Sequence, residues 1–177
     1  MTDSITVAIA DPPYIGCAGF YEENEEVDHE KLVERLVDEY PDGWALCMHS
    51  PSLKQILNYC PDDVRVMAWV KPFAVFKPNV NPAYSWEPVI VRGGRKRTRE
   101  QDTVRDWVAA NITLRRGMVG VKPDEFSYWL FEVLNLRPGD TMDDIFPGTG
   151  AITKAWQKWQ QMYTFMSPSY EQMEVLT

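Results

Sequence analysis

The sequence predicts an α/β fold with a mostly parallel sheet and helices on both faces. Short apolar runs of strand length alternate with segments in which apolar residues recur every three to four positions, the spacing of one helix face. Parallel strands need a crossover connection, usually a helix, so this alternation predicts parallel pairing. The chain has 177 residues, enough for a sizeable core, and no internal repeat divides it. We therefore expect residues 1–177 to form a single domain.

Continuous apolar runs predict the first three strands. The first covers residues 5–10, and Pro12 and Pro13 end it because proline lacks the N–H that a strand ladder needs. The second covers residues 44–48 and the third residues 64–70. Between the first two lies a helix that stops at residues 41–43. Its apolar face consists of Leu32, Val33, Leu36, Val37 and Tyr40.

Proline and serine mark the next boundaries. Ser50 predicts a helix N-cap, with Pro51 at the first helical position, and Pro61 should end that helix. The proline-rich residues 71–82 predict a long surface loop. A fourth strand is expected within residues 84–91.

The last third of the chain repeats the alternation. Lys122-Pro123 opens an apolar helix that contains Phe126 and Trp129. A turn at residues 137–140 leads to a fifth strand at residues 141–146. A glycine-rich turn then enters a final helix that begins near Ala151.

Composition narrows the possible functions. The net charge of −8 argues against a protein that is basic over its whole surface. Residues 92–116, the basic segment, nevertheless carry eight basic residues that could follow DNA phosphates or could simply form a solvated loop. Three widely spaced cysteines, with no signal peptide or apolar span, predict a cytoplasmic protein. Cys47 and His49 lack the paired spacing of a zinc site, so no metal site is predicted.

The first candidate site is the DPPY stretch, Asp11-Pro12-Pro13-Tyr14, directly after the first strand. Ligands of open α/β sheets bind outside the carboxyl ends of the strands, so an acid and an aromatic ring are expected at a binding edge. The alternative is a simple strand-ending turn, because Asp-Pro is common in loops.

The second candidate site is the glycine turn, Pro147-Gly148-Thr149-Gly150, which follows Asp144 and Phe146 at the end of the fifth strand. Glycines let a ligand approach the backbone, and the helix start presents free N–H groups. The turn lacks the third glycine of a dinucleotide fingerprint and the lysine of a phosphate-binding loop. It therefore favours neither NAD nor ATP, and an ordinary strand-to-helix turn stays open.

Together the two stretches resemble amino-directed DNA methyltransferases, which form N6-methyladenine or N4-methylcytosine. The order, catalytic stretch first and cofactor stretch last, is similar to the permuted beta group, in a small stand-alone form typical of bacterial viruses. Lys122-Pro123, the turn at residues 137–140 and the Trp86-Glu87 strand resemble further elements of that family. The resemblance implies a Rossmann-like methyltransferase fold, permuted and truncated.

The resemblance also implies the site residues. Asp11 and the Pro12 carbonyl would accept hydrogen bonds from an exocyclic amine, next to Pro13, and Tyr14 would stack on the base. S-adenosylmethionine would be the cofactor. Its expected contacts are Asp144, Phe146, Gly148, Thr149, Gly150 and Lys122. The expected nucleic-acid contacts are Arg92, Arg95, Lys96, Arg97, Arg99, Arg115 and Arg116.

Alternatives for sequence recognition and for activity remain at this point. The basic segment stands where the family has a larger recognition domain, which implies low sequence specificity, a homodimer, or a partner that supplies recognition. A weakly active or inactive binding protein on the same scaffold is an alternative, as is a methyltransferase that acts on RNA or nucleotides. DNA adenine N6 is the favoured target, in the host cytoplasm if the protein is viral.

Overall fold

The computed structural model describes residues 4–17, 19, 26–73, 78–112 and 121–166, with side chains described as far as residue 162. The strands are β1 (Thr6–Ala10), β2 (Gly43–Cys47), β3 (Arg65–Val70), β4 (Trp86–Gly93), β5 (Trp107–Ala109) and β6 (Thr141–Asp144). The helices are α1 (His29–Glu39), α2 (Leu53–Leu57), α3 (Asp124–Val133) and α4 (Ala151–Met166). None of these helices is long and apolar enough to cross a lipid bilayer.

The predicted α/β fold is confirmed, with a mixed sheet of six strands in the order β5-β3-β4-β2-β1-β6. The pairs β1–β2, β1–β6 and β3–β5 are parallel, whereas β4 runs antiparallel to both β2 and β3. The described part of the connection from β3 to β4 contains no helix, so the chain turns back on itself. The carboxyl ends of β1, β2, β3 and β6 therefore lie at one edge of the sheet.

Helices cover both faces of the sheet, as the sequence predicts. Val7 and Ile9 of β1 point into a core that α3 and α4 complete with aromatic side chains. Ala8 and Ala10 point to the opposite face, where α1 packs. The aromatic residues of the first core include Phe126, Trp129, Phe131, Trp156 and Trp159. Alternating side chains of β1 thus pack against the helices on both faces of the sheet.

Local signals explain where α1 and α3 begin. The Asp28 side chain accepts a hydrogen bond from the Lys31 backbone N–H at 3.2 Å, which caps α1. Pro123 occupies the position before α3, where its missing N–H costs nothing. Asp124 and Glu125 then stand in the first turn of α3, where the helix dipole favours acids.

Several predicted boundaries were wrong, and one strand was not predicted. Ser50 is not an N-cap: it begins a 3-10 turn (Ser50–Ser52) flanked by His49, and α2 ends at Leu57, before Pro61. The fifth predicted strand, β6, ends two residues early at Asp144, because the chain leaves the sheet to form the glycine turn. The basic segment contains an unpredicted strand, β5, which has only three residues and pairs at the sheet edge.

The first part of the basic segment lies tightly against the end of α3. Gly94 N–H donates to the Asp42 carbonyl at 2.7 Å, and Arg95 N–H donates to the Leu134 carbonyl at 2.9 Å. Gly94 has φ +89°, and a Cβ there would lie 2.9 Å from the Leu134 Cα, so only glycine fits. Asn135 Nδ2 donates to the carbonyl oxygens of Arg95 and Lys96. Hydrogen bonds thus fix residues 94–96, which we call the strap, against the end of α3.

Candidate active site

The DPPY stretch continues β1 at the carboxyl edge of the sheet. Val7 to Ala10 are fully buried, and Asp11 follows with a side chain that is 19% exposed. Lys122 Nζ lies 2.7 Å from Asp11 Oδ1 and 2.8 Å from Oδ2, so one ammonium contacts both carboxylate oxygens. The two residues are 111 positions apart in the chain. The start of α3 therefore brings a cation onto the predicted catalytic acid.

Lys122 is almost completely buried, with a side chain that is 4% exposed. Its ammonium lies 5.6 Å from the Trp69 ring and 5.9 Å from the Phe126 ring, so an apolar wall surrounds the ion pair. The ammonium also lies 3.1 Å from Tyr14 Oη. Lys122 was predicted as a cofactor contact; the structure brings it to Asp11, and a cofactor contact by it stays a prediction.

Tyr14 is held by residues that the sequence did not indicate as functional. Its hydroxyl donates to Glu87 Oε2 at 2.8 Å, and its ring stacks on His49 at a centroid distance of 5.3 Å and an angle of 4°. Glu87 Oε1 in turn pairs with Lys71. A signal for Glu87 exists, because it is the one acid of β4 and directly precedes a buried apolar run, and a charge at such a position needs a partner.

The charges of this cluster balance. Two buried cations, Lys122 and Lys71, face two carboxylates, Asp11 and Glu87. Burial raises the pKa of Asp11, and Lys122 opposes that shift. Burial would also raise the pKa of Glu87, but Lys122 and Lys71 hold it below its ordinary value. Burial keeps the pKa of Tyr14 well above its ordinary value, so the phenol is a neutral hydrogen-bond donor.

The predicted cofactor stretch lies directly beside the DPPY stretch. β6 pairs in parallel with β1, and Asp144 is the register partner of Ile9, two residues before Asp11. Asp144 Oδ2 accepts a hydrogen bond from Thr153 Oγ1 of α4 at 2.8 Å. Asp144 Oδ1 is buried without a hydrogen-bond partner among the described residues. Burial raises the pKa of Asp144, and the hydroxyl and backbone N–H of Thr153 only partly oppose that shift.

The glycine turn connects Asp144 to α4. Gly148 has φ +45° and Gly150 φ +69°, backbone conformations that side chains rarely adopt. A Cβ on Gly148 would find only the Phe146 carbonyl, at 4.0 Å, so the space above the turn is open. Phe146 is half-buried against the α1 face, and Thr149 is exposed. An unpartnered buried carboxylate oxygen beside an open glycine turn suits a ligand that carries a cationic amine.

The predicted nucleic-acid contacts divide into two groups. Arg92 pairs with Asp63 at 2.8 Å, Arg95 with the buried Asp140 at 2.5 Å, and Arg97 with Glu132. These three guanidinium groups have structural partners within the chain. Lys96 and Arg99 are exposed and form no ion pair within the described residues. Arg115 and Arg116 lie outside the described residues.

Among the described residues, no group of three or more His, Cys, Asp or Glu side chains is placed to hold a metal ion. The thiol of Cys47 is buried, and burial raises its pKa well above the ordinary value. Burial likewise raises the pKa of Cys60 to about 11. At neutral pH both are thiols and weak nucleophiles.

The α/β fold, a mixed sheet of six strands with helices, is similar to that of solved structures of M1.HpyAVI, a DNA methyltransferase. Among solved structures, the M1.HpyAVI–SAM complex is similar with a TM-score of 0.57 and 14% identity, over 89% of this chain and 79% of that chain. M1.HpyAVI alone is similar with a TM-score of 0.56 and 13% identity, over 89% and 77%. No family model and no curated protein matches the sequence. At this identity the likeness establishes the fold alone.

Proposed function

We propose that this protein is an S-adenosylmethionine-dependent methyltransferase that acts on an exocyclic amino group of a base in DNA, with adenine N6 as the favoured target. One observation carries the proposal. The DPPY stretch and the Asp144 glycine turn come from opposite ends of the sequence, yet they end neighbouring parallel strands at one edge of the sheet. Substrate and cofactor would therefore meet between β1 and β6, where open α/β sheets bind ligands.

The cofactor side fits S-adenosylmethionine, which supplies a methyl group activated by a sulfonium when bound. Asp144 would hold a cationic or hydroxyl group through its unpartnered Oδ1. The turn at Gly148 and Gly150 leaves its backbone accessible, and Phe146 and Thr149 flank it. A direct contact between Lys122 and the cofactor is also proposed, although Asp11 already engages the Lys122 ammonium.

The substrate side suits an amine. The lone pair of an exocyclic amine is delocalised into the base, so attack on a methyl group requires the nitrogen to become pyramidal. Asp11 and the Pro12 carbonyl would accept hydrogen bonds from its two N–H groups and favour that geometry. Tyr14 would stack on the base, worth on the order of 1–3 kcal/mol. A base in a duplex must first be flipped out of its stack, at a cost of a few kcal/mol.

Lys122 has a defined task in this scheme. Its ammonium keeps the Asp11 carboxylate charged and oriented in a site whose burial would otherwise favour the neutral acid. The lone pairs of Asp11 that face away from Lys122 stay available to an incoming amine. The proton released after methylation would then leave through Asp11.

A direct test is methyl transfer by the purified protein. DNA from a methylation-deficient bacterium is incubated with S-adenosylmethionine carrying a labelled methyl group, and the nucleosides are separated by mass spectrometry. We expect labelled N6-methyladenine, and none with Asp11→Asn. Labelled N4-methylcytosine would change the target base, and an absence of label in any nucleic acid would overturn the proposal.

A binding protein on the same scaffold is the second candidate function, because Lys122 already contacts both oxygens of Asp11. Tryptophan fluorescence separates the two, since Trp156 and Trp159 belong to the helix that follows the glycine turn. Cofactor binding with turnover supports the enzyme; nucleic-acid binding without either supports the binding protein. Competition among DNA, RNA and nucleosides identifies the substrate class.

DNA contact is proposed through Lys96 and Arg99, together with Arg115 and Arg116. The proposed functional unit is one domain, residues 1–177, that relies on a second copy or a partner for sequence recognition. Binding to an unmethylated duplex at increasing salt tests the phosphate contacts, since each phosphate neutralised contributes about −0.9 to the slope of log K against log salt. Because the described part of the basic segment carries two exposed cations of this set, Lys96 and Arg99, we expect a shallow slope of log K against log salt.

A further inference from the structure

We propose that Glu87 is a positioning residue: it fixes the ring of Tyr14 through the hydroxyl, so that the ring offers one defined face to a base. Glu87, Lys71 and His49 form what we call the Tyr14 clamp. None of these three residues is among the predicted site residues. The task of the ring depends on the proposed function, whereas the clamp itself is a physical coupling that can be measured without any activity.

The first part of the clamp is a rigid acceptor. Tyr14 Oη donates to Glu87 Oε2 at 2.8 Å, and Lys71 holds the other oxygen of the same carboxylate. Glu87 and Lys71 are each 16% exposed, so water competes weakly for these bonds. Glu87 stands in β4, in register with Trp69 of β3, which fixes its backbone within the sheet. The acceptor is therefore set by the sheet and not by the loop that carries Tyr14.

The second part of the clamp covers one face of the ring. The rings of His49 and Tyr14 are nearly parallel, at 4°, with centroids 5.3 Å apart, an offset stack. The Nδ1 atom of His49 lies 2.8 Å from Ser52 Oγ, which orients the imidazole. His49 follows β2 and Ser52 ends the 3-10 turn, so neither belongs to the Tyr14 loop. One face of Tyr14 is thus occupied within the chain.

The clamp makes a specific statement about substrate contact. The Tyr14 hydroxyl is committed to Glu87, and Lys122 approaches it to 3.1 Å, so the hydroxyl has no role as a donor to the base. Only the ring surface opposite His49 serves for stacking. Removal of the Tyr14 hydroxyl and removal of the Glu87 carboxylate should therefore break one and the same interaction.

A double-mutant cycle tests this prediction. Tyr14→Phe, Glu87→Ala and the double variant are compared for methyl transfer to DNA from a methylation-deficient bacterium. We expect each single variant to raise KM for DNA by about tenfold, with a smaller change in kcat, because a free ring stacks less well. The double variant should resemble Glu87→Ala, at about tenfold. A loss of about a hundredfold, the product of two independent effects, would overturn the proposal.

Controls separate positioning from folding. Tyr59→Phe removes a hydroxyl, just beyond α2, that accepts a hydrogen bond from Gln55 Nε2, and it should leave KM unchanged. Glu87→Gln keeps an oxygen acceptor for Tyr14, so it should recover most of the KM that Glu87→Ala loses, and it replaces Glu87→Ala in the cycle if that variant does not fold. Equal KM values for the Gln and Ala variants would overturn the acceptor role.

The same cycle is measured in urea unfolding, which requires no substrate. A clamp predicts that the midpoint shift of the double variant is smaller than the sum of the two single shifts. Additive shifts would overturn the clamp even if the enzyme is active. If the wild-type protein transfers no methyl group to any nucleic acid, the proposed function fails, and the unfolding cycle still decides whether Glu87 holds Tyr14.

Discussion

Asp11 and Asp144 follow or end neighbouring parallel strands, and burial raises the pKa of both carboxyl groups. Their surroundings nevertheless differ. Both oxygens of Asp11 contact the buried ammonium of Lys122, whereas Asp144 accepts hydrogen bonds from Thr153 and has one buried oxygen without a partner among the described residues. The charge of Asp11 is thus compensated within the chain, whereas one oxygen of Asp144 is left uncompensated among the described residues.

This difference shows which half of the site, the Asp11 half or the Asp144 half, has its charges compensated in the free protein. The Asp11 half is complete before any substrate arrives, so its geometry is set by folding. The Asp144 half carries an electrostatic cost in the free protein, which a cationic ligand would relieve on binding. Neutralising Asp11 should therefore destabilise the free protein, whereas neutralising Asp144 should leave the free protein as stable or more stable and weaken ligand binding.

The largest effect is expected from Lys122→Met, which leaves Asp11 buried without its cation. Breaking a buried ion pair from one side costs about 3–5 kcal/mol of unfolding free energy. Urea denaturation followed by circular dichroism measures it. Lys158→Met is the matched control, since its pair with Asp124 is exposed and should contribute about 0–1 kcal/mol. A loss for Lys122→Met no larger than this control would contradict a structural ion pair.

Asp11→Asn should abolish most methyl transfer. The amide is isosteric, but it is neutral, so it can neither accept the amine N–H as a charged group nor take up the released proton, and we expect kcat to fall by about 10²–10³-fold. Rates are normalised to folded protein, because the variant also leaves Lys122 with Glu87 as its nearest anion, at 3.8 Å. Asp143→Asn is the control, as that acid contacts Tyr40 on the α1 side. An unchanged kcat for Asp11→Asn would remove it from the chemistry.

Asp144→Asn should weaken cofactor binding while the free protein keeps or gains stability. A hydrogen bond to a charged group contributes about 1.5–3 kcal/mol, so the dissociation constant should rise roughly 10- to 100-fold. Calorimetric titration with S-adenosylmethionine measures the affinity, and urea unfolding measures the stability. The comparison with Asp11 fails if Asp144→Asn destabilises the free protein as much as Asp11→Asn does.

The smallest effect is a pH dependence of stability. Because the folded pKa of Asp144 is raised above the ordinary 3.8, its charged form is disfavoured in the folded state. The resulting cost is fully present above the folded pKa, shrinks as pH falls through it, and vanishes below 3.8. The stability advantage of Asp144→Asn should thus disappear from neutral pH down to 3.8. An advantage that is constant with pH would indicate packing and not charge.

The sequence was sufficient for the parts of the fold that depend on local pattern. The strands predicted at residues 5–10, 44–48 and 64–70 differ from β1, β2 and β3 by no more than one residue at either end, because a continuous apolar run can be buried in few ways. β5 was missed because three residues at a sheet edge, two of them exposed, carry no periodic signal.

The candidate site was predictable only in part. Asp11 and Asp144 come directly after or at the end of apolar strands, and the rule that ligands bind at carboxyl ends was enough to select them. The partner of Asp11 was not, because Lys122 is 111 positions away and its contact depends on how α3 packs. Likewise, the ion pair between Arg95 and Asp140 could not be predicted, because it depends on how the strap folds against the end of α3.

The neighbouring positions of β1 and β6 have a consequence for synthesis on the ribosome. Asp11 emerges early, but Lys122 and the strand that completes its edge, Thr141–Asp144, emerge only after most of the described chain. Such contacts between distant segments carry a high loop-closure entropy and form late. A nascent chain therefore holds an uncompensated acid until Lys122 has emerged, and β1 lacks its neighbour β6 until Thr141–Asp144 has been synthesised.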